Sequence, residues 1–150
     1  MRKEKLTAVL TGATSGFGTV IARHLIHKNY RLIFLARSEK KANDLKNALI
    51  LEFPKAKVDF LMCDLSSFDS IALACEAVGE KFGQIDLLIL NAGVWNFKFQ
   101  ETLDEVEETL QVNLLAPALM LKKLSDFIPR NDRSKVILTA SGLHQGTIHY

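Results

Sequence analysis

The stretch TGATSGFG (residues 11–18) puts glycines at 12, 16 and 18, directly after the apolar run LTAVL. Where a strand hands over to a helix, the first N–H groups of the helix have no partner and its start is partly positive. A pyrophosphate can rest on such a start only where no side chain blocks it. Gly12 suits the tight turn, Gly16 the close approach of backbone to phosphate, and Gly18 the close packing of helix on strands. Thr14, Ser15 and Phe17 complete this candidate anion-binding loop. The order is TGxxxGxG rather than GxGxxG. A turn that is glycine-rich for purely structural reasons reads the same way, and there Thr11 and Ser15 bond local backbone instead of a ligand.

Other places carry groups suited to chemistry. Arg37 follows Ala36 at the end of the run YRLIFLA; its guanidinium either forks onto a phosphate or faces water. Asp64 and Leu65 follow the run KVDFLMC, where the carboxylate can accept from a ligand or cap the next helix. Asn91, Ala92 and Gly93 follow LLIL, and their small size leaves room beside the sheet. Asn113 is an amide on an otherwise apolar helical face, where a buried amide needs partners such as a strand carbonyl. Ser141 ends the run KVILTA, a place where a serine often only turns the chain. Cys63 and Cys75 are read as buried free thiols, and no metal site is expected.

The elements that must position these groups alternate regularly. Strands are expected over 6–12, 30–37, 57–65, 85–93 and 134–141. Each is a continuous apolar run, as in strands buried on both faces. Helices are expected over 17–29, with a stripe of Val20, Ile21, Leu25 and Ile26; over 39–52, capped by Ser38 and stopped near Pro54; and over 68–83, ended by Gly83. A long helix is expected from about Thr102 to Phe127, striped by Leu103, Val106, Leu110, Leu114, Leu121 and Leu124, with Pro117 bending or dividing it. Repeated β–α units imply an α/β fold: a parallel sheet between two helical layers, with right-handed crossovers.

The bulk numbers agree. The chain has 150 residues, 48% hydrophobic and 24% charged, ordinary values for one globular domain. Nineteen basic and 17 acidic residues leave +2, with no basic patch that would call for nucleic acid. No signal peptide and no membrane segment is read, and a reducing, cytoplasmic setting is expected.

Taken together, TGATSGFG (11–18), CDLSS (63–67), NAG (91–93), Asn113 and Ser141 resemble, in order and on fitting elements, the short-chain dehydrogenase/reductase family. SGLH (141–144) is similar to its retinol-dehydrogenase-like branch. The resemblance implies a Rossmann-type three-layer α/β/α fold, incomplete at the C-terminal side, with residues 1–150 as a truncated NAD(P)-binding domain. It implies a dinucleotide on the glycine loop, adenine near Asp64 and Leu65, and ribose beside Asn91–Gly93. It gives Ser141 the task of polarising a carbonyl or alcohol oxygen and Asn113 that of holding a relay water. Where the family places an acid for a free ribose 2′-hydroxyl, this chain has Ala36 followed by Arg37, which favours NADP(H) over NAD(H). The branch implies a small lipophilic carbonyl or alcohol as substrate, with Trp95, Phe97 and Phe99 lining the cleft or covering core. The helix bearing Asn113 resembles one that builds homodimers.

The family's YxxxK is absent: Tyr30 is followed by Phe34 at the fourth place, and Tyr150 is the last residue, nine after Ser141. His144 is read as structural and Tyr150 as non-catalytic. The 150 residues are therefore expected to be an N-terminal, coenzyme-binding part of a longer oxidoreductase, inactive alone. Two alternatives stand beside this: a non-catalytic dinucleotide-binding or regulatory protein, and an epimerase-like relative, against which NAG and SGLH argue.

Overall fold

The computed structural model describes residues 5–140. Among them, five strands form one parallel sheet in the order β3-β2-β1-β4-β5. They are β1 Thr7–Thr11, β2 Arg31–Ala36, β3 Val58–Met62, β4 Leu87–Leu90 and β5 Lys135–Leu138. The helices are α1 Gly16–His27, α2 Glu39–Glu52, α3 Phe68–Phe82, a short α4 Glu108–Leu110 and α5 Ala116–Leu124. A π-helical turn, Gln111–Leu115, joins α4 to α5, and a 3₁₀ turn, Ser125–Phe127, follows α5.

β1 is buried along its whole length. It pairs with β2 from Thr7 opposite Arg31 to Thr11 opposite Leu35, and with β4 from Ala8 opposite Leu87 to Leu10 opposite Ile89. The alternate faces of these strands feed two cores. Leu10 and Phe34 pack with Leu25 of α1 and Leu49 of α2. Val9, Ile33 and Leu88 pack with Ile71 and Val78 of α3 and Met120 and Leu124 of α5. Each such side chain contributes about 1.5–3 kcal/mol of burial. The chain leaves β1 towards β2 on one side and reaches β4 on the other, so a crevice opens at the carboxyl ends of β1 and β4.

Local chemistry sets the helix ends. Ser38 and Ser67 accept backbone N–H bonds from Lys41 and Ser70, capping α2 and α3. Gly83, at φ +66°, ends α3. Close packing joins α3 to the turn after α5: a methyl group at Gly79 would lie 2.2 Å from the Phe127 ring.

Two expectations are corrected. Val20 is 62% exposed; the buried face of α1 is Gly18, Ala22, Leu25 and Ile26. The long helix does not begin at Thr102. Residues 101–107 form a loop closed by a Glu101–Glu107 bridge and turned through Glu105 at φ +60°. Glu107 then caps α4, its carboxylate accepting from the N–H groups of Thr109 and Leu110 at 2.9 and 2.7 Å. Those bonds hold its carboxyl below the usual range. Leu103 is 98% exposed, and Leu110, Leu114 and Leu121 also face outward. The buried face is Gln111, Val112, Ala116, Met120 and Leu124. Pro117 cannot donate the bond that an α-helix would direct to the Asn113 carbonyl. The π-turn, where the Ala116 N–H bonds Gln111, sits just before it.

Candidate functional site

The glycine loop opens onto the crevice. Gly12 has φ +72°, and a β-carbon there would lie 2.9 Å from the Ala92 Cα and 3.0 Å from the Asn91 amide nitrogen. Only glycine combines that backbone with that proximity. A β-carbon at Gly18 would lie 1.8 Å from the Gly12 carbonyl oxygen. The packing expected of Gly18 against the strands is thus made against the loop itself. Gly16 meets nothing within 4 Å, so backbone there is bare. Ser15 precedes α1 without a side-chain cap bond, which leaves first-turn N–H groups free of side-chain partners. Phe17 is 84% exposed.

Thr11 binds the two halves of the crevice. Its hydroxyl oxygen accepts the backbone N–H groups of Asn91 and Ala92, each at 3.0 Å. The Asn91 amide reaches the Thr11 carbonyl at 3.4 Å and accepts from the Thr139 hydroxyl at 3.4 Å. It thereby spans the ends of β1 and β5. Thr11 therefore bonds the NAG segment and not its own local backbone.

Asn113 grips Val94 at both ends of its amide. Its Oδ1 accepts the Val94 N–H and its Nδ2 donates to the Val94 carbonyl, both at 2.8 Å. A β-carbon at Gly93 would lie 3.3 Å from that Oδ1. This corrects two expectations: Asn113 is exposed, not buried, and its partner is loop backbone, not a strand carbonyl.

At the other wall, Asp64 Oδ1 accepts from the backbone and hydroxyl of Ser66, at 3.0 and 2.6 Å. This makes a tight turn and leaves helix capping to Ser67. Arg37 is exposed, and none of the ion pairs among the described residues uses it. Burial pushes the Cys63 thiol up to about 12, with Cys75 and Asp64 adding to the shift. It is an inert wall, not a nucleophile.

These walls form a groove of about 150 Å³ that is open to solvent. Gly12, Thr14, Arg37, Asp64, Leu65, Ala92 and Gly93 line it, with Thr11, Leu35, Ala36, Cys63, Val94 and Val112. Ser15, Gly16, Phe17, Gly18, Asn91 and Asn113 are not lining residues; they shape the loop or hold the wall. Ser141, with His144 and Tyr150, lies outside the described residues. Trp95, Phe97 and Phe99 are 62, 95 and 74% exposed and cover no core. Sequence reading missed Val94 and Val112, which carry no chemical signal, and the clamp at Thr11, whose partners lie 80 and 81 residues away.

A family model described as short chain dehydrogenase matches residues 6–149. A WW domain-containing oxidoreductase of Drosophila melanogaster is 33% identical over 144 residues, covering 93% of this chain and 34% of that protein. A human polyprenol dehydrogenase is 30% identical over 141 residues, covering 91% of this chain and 43% of that protein. The crystal structure of a metagenomic short-chain oxidoreductase in complex with NADP superimposes with a TM-score of 0.81 at 29% identity, over 95% of this chain and 65% of that one. The chain thus spans less than half the length of these curated relatives.

Proposed function

The chain belongs to the short-chain dehydrogenase family, and on that premise we propose that it is the coenzyme-binding half of an NADP(H)-dependent oxidoreductase. Its substrate pair is a lipophilic carbonyl and alcohol. The carrying observation is the groove itself, where the glycine loop at Gly12, the Asp64–Leu65 turn and the small Ala92–Gly93 pair line one space at the carboxyl ends of β1 and β4. The residues fit a dinucleotide. The uncapped start of α1 suits a pyrophosphate, the Asp64–Leu65 turn suits an adenine edge, and Ala92–Gly93 admit a ribose. Arg37 stands at the groove with its charge unpaired by the ion pairs described, as a 2′-phosphate requires. The relative in complex with NADP supports that choice.

The bound coenzyme supplies or accepts the hydride. The chain's own residues orient and polarise. Asn113 fixes Val94, and through it the backbone beside the nicotinamide end. Ser141 is assigned a hydrogen bond to the substrate oxygen, drawing charge onto that oxygen as the carbonyl is reduced. The lipophilic class rests on the exposed aromatics of the 94–99 loop, on the SGLH stretch, and on the relative that is a polyprenol dehydrogenase. No YxxxK occurs in the 150 residues, so turnover is assigned to a protein that carries this pair, and coenzyme binding to this chain.

Titration with NADPH and NADH tests the reading. NADPH should bind at least about tenfold more tightly, the scale of one charge-assisted pair, and Arg37→Ala should abolish the preference. Equal affinities before and after the change would remove Arg37 from coenzyme choice. In a protein carrying the YxxxK pair, Ser141→Ala should cut kcat by about 10²-fold or more while NADPH affinity holds. Unchanged turnover would take Ser141 out of the chemistry.

A further inference from the structure

The 101–107 loop is fastened at a point the groove does not touch. Gln111 has no solvent exposure, and both ends of its amide are engaged. Its Oε1 accepts from the Thr102 hydroxyl, and its Nε2 donates to Asp104 Oδ2 at 2.6 Å. The same Oδ2 accepts the backbone N–H of Phe68, the first residue of α3, at 2.8 Å. A carboxylate 36 residues away in sequence therefore holds the start of α3, where negative charge suits the helix dipole.

The two segments joined here each lead directly into a wall of the groove. α3 begins just after Asp64 and Leu65. Gln111 opens the π-turn that carries Val112, a lining residue, and Asn113, which grips Val94. A buried amide with its oxygen and its nitrogen both bonded favours one arrangement, because a shift leaves a buried polar atom unpaired. An apolar residue would fill the volume equally well but would fix no direction.

We infer that Gln111 and Asp104 are positioning residues that lock the Asp64–Leu65 wall of the groove to its Val94–Asn113 wall. The lock is a property of the fold; its effect on ligand affinity rests on the coenzyme reading above. Neither residue touches the groove, so both act through others.

The test uses Gln111→Glu, which keeps shape but sets a second carboxylate against Asp104 with no hydrogen between them. Acidification puts one proton between the two carboxylates, so the side chain at 111 again donates to Asp104 Oδ2 while that oxygen still accepts from Phe68. Backbone amide NMR signals of Val94 and Leu65, neither hydrogen-bonded to Gln111, report wall position. Titration with NADPH reports its consequence. Relative to the unaltered chain at the same pH, Gln111→Glu should shift both signals and weaken NADPH binding about tenfold in alkaline buffer, and acidification should recover both. A purely space-filling role predicts no such recovery. Gln111→Met, of similar length, should shift both signals at every pH and keeps the test open if the glutamate variant does not fold. Unmoved Val94 and Leu65 signals, or a glutamate variant that acidification does not recover, overturns the inference. If the unaltered chain binds no NADPH, the coenzyme reading fails and the amide signals alone decide whether the lock exists.

Discussion

Gly18 lies against the carbonyl it must accommodate, with 1.8 Å between its missing β-carbon and the Gly12 oxygen. That oxygen is backbone and cannot swing away, so Gly18→Ala forces loop and helix apart. We expect a loss of about 1–3 kcal/mol of stability and loss of measurable NADPH affinity, checked by urea unfolding and coenzyme titration. An alanine variant with unaltered binding would show that loop spacing is not critical. Gly16 differs in kind. It has open space around it but a φ of +51°, so a side chain there strains backbone and projects into the place proposed for phosphate.

The loop before α4 carries its own strain. Glu105 is exposed and holds φ +60°, a conformation that costs an L-residue about 1–2 kcal/mol. Part of that is offset by the extra freedom glycine gains when unfolded. Glu105→Gly should therefore raise stability by about 0.5–1 kcal/mol, seen as a higher urea midpoint with an unchanged slope; a lower midpoint contradicts the strain. This loop also marks where sequence reading stopped working. β1, β2 and β4 were legible because burial on both faces writes an unbroken apolar run, and α2 and α3 because serines begin them. The helix after β4 was misread because Leu103, Val106 and Leu110 imitate a helical stripe. The features that refute it are a left-handed glutamate and a glutamate cap, and no apolar pattern encodes either. The buried face includes Gln111, whose polarity hides it from any search for core. At the site, the glycines and NAG were legible because bare backbone leaves a compositional trace; the Asp104–Gln111 pair leaves none.

Across the molecule, burial is uneven. β1 and β4 are fully covered, whereas Val136, Ile137 and Leu138 of β5 are 40–56% exposed. Among the described residues, no helix is long and apolar enough to cross a membrane. Both cysteines lie in the core layer between sheet, α3 and α5. Burial pushes Cys75 up to about 11, with Lys123 offsetting part of the shift, and Cys63 up to about 12. Unfolded thiols ionise near 9.0. The unfolded chain therefore releases these protons first as pH rises. Stability from the neutral thiols should be intact below about pH 9 and lost progressively towards pH 11–12. Chemical unfolding from pH 8 upward should show this decline, and Cys63→Ala should flatten it. An equal slope in the variant would exclude Cys63 as its source.

The contact between Gly79 and the Phe127 ring has one more consequence. It fastens the far end of α3 to the turn after α5, while Asp104 fastens its near end to the segment before α4. Gripped at both ends, α3 cannot lift from the sheet without α5. The face that carries Val112 and Cys63 therefore opens as one leaf. The leaf bearing the glycine loop has a tie of its own, the Arg23–Glu52 pair between α1 and α2. Amide exchange in the two leaves would then follow two separate clocks, and a ligand lying across both would bring them to one.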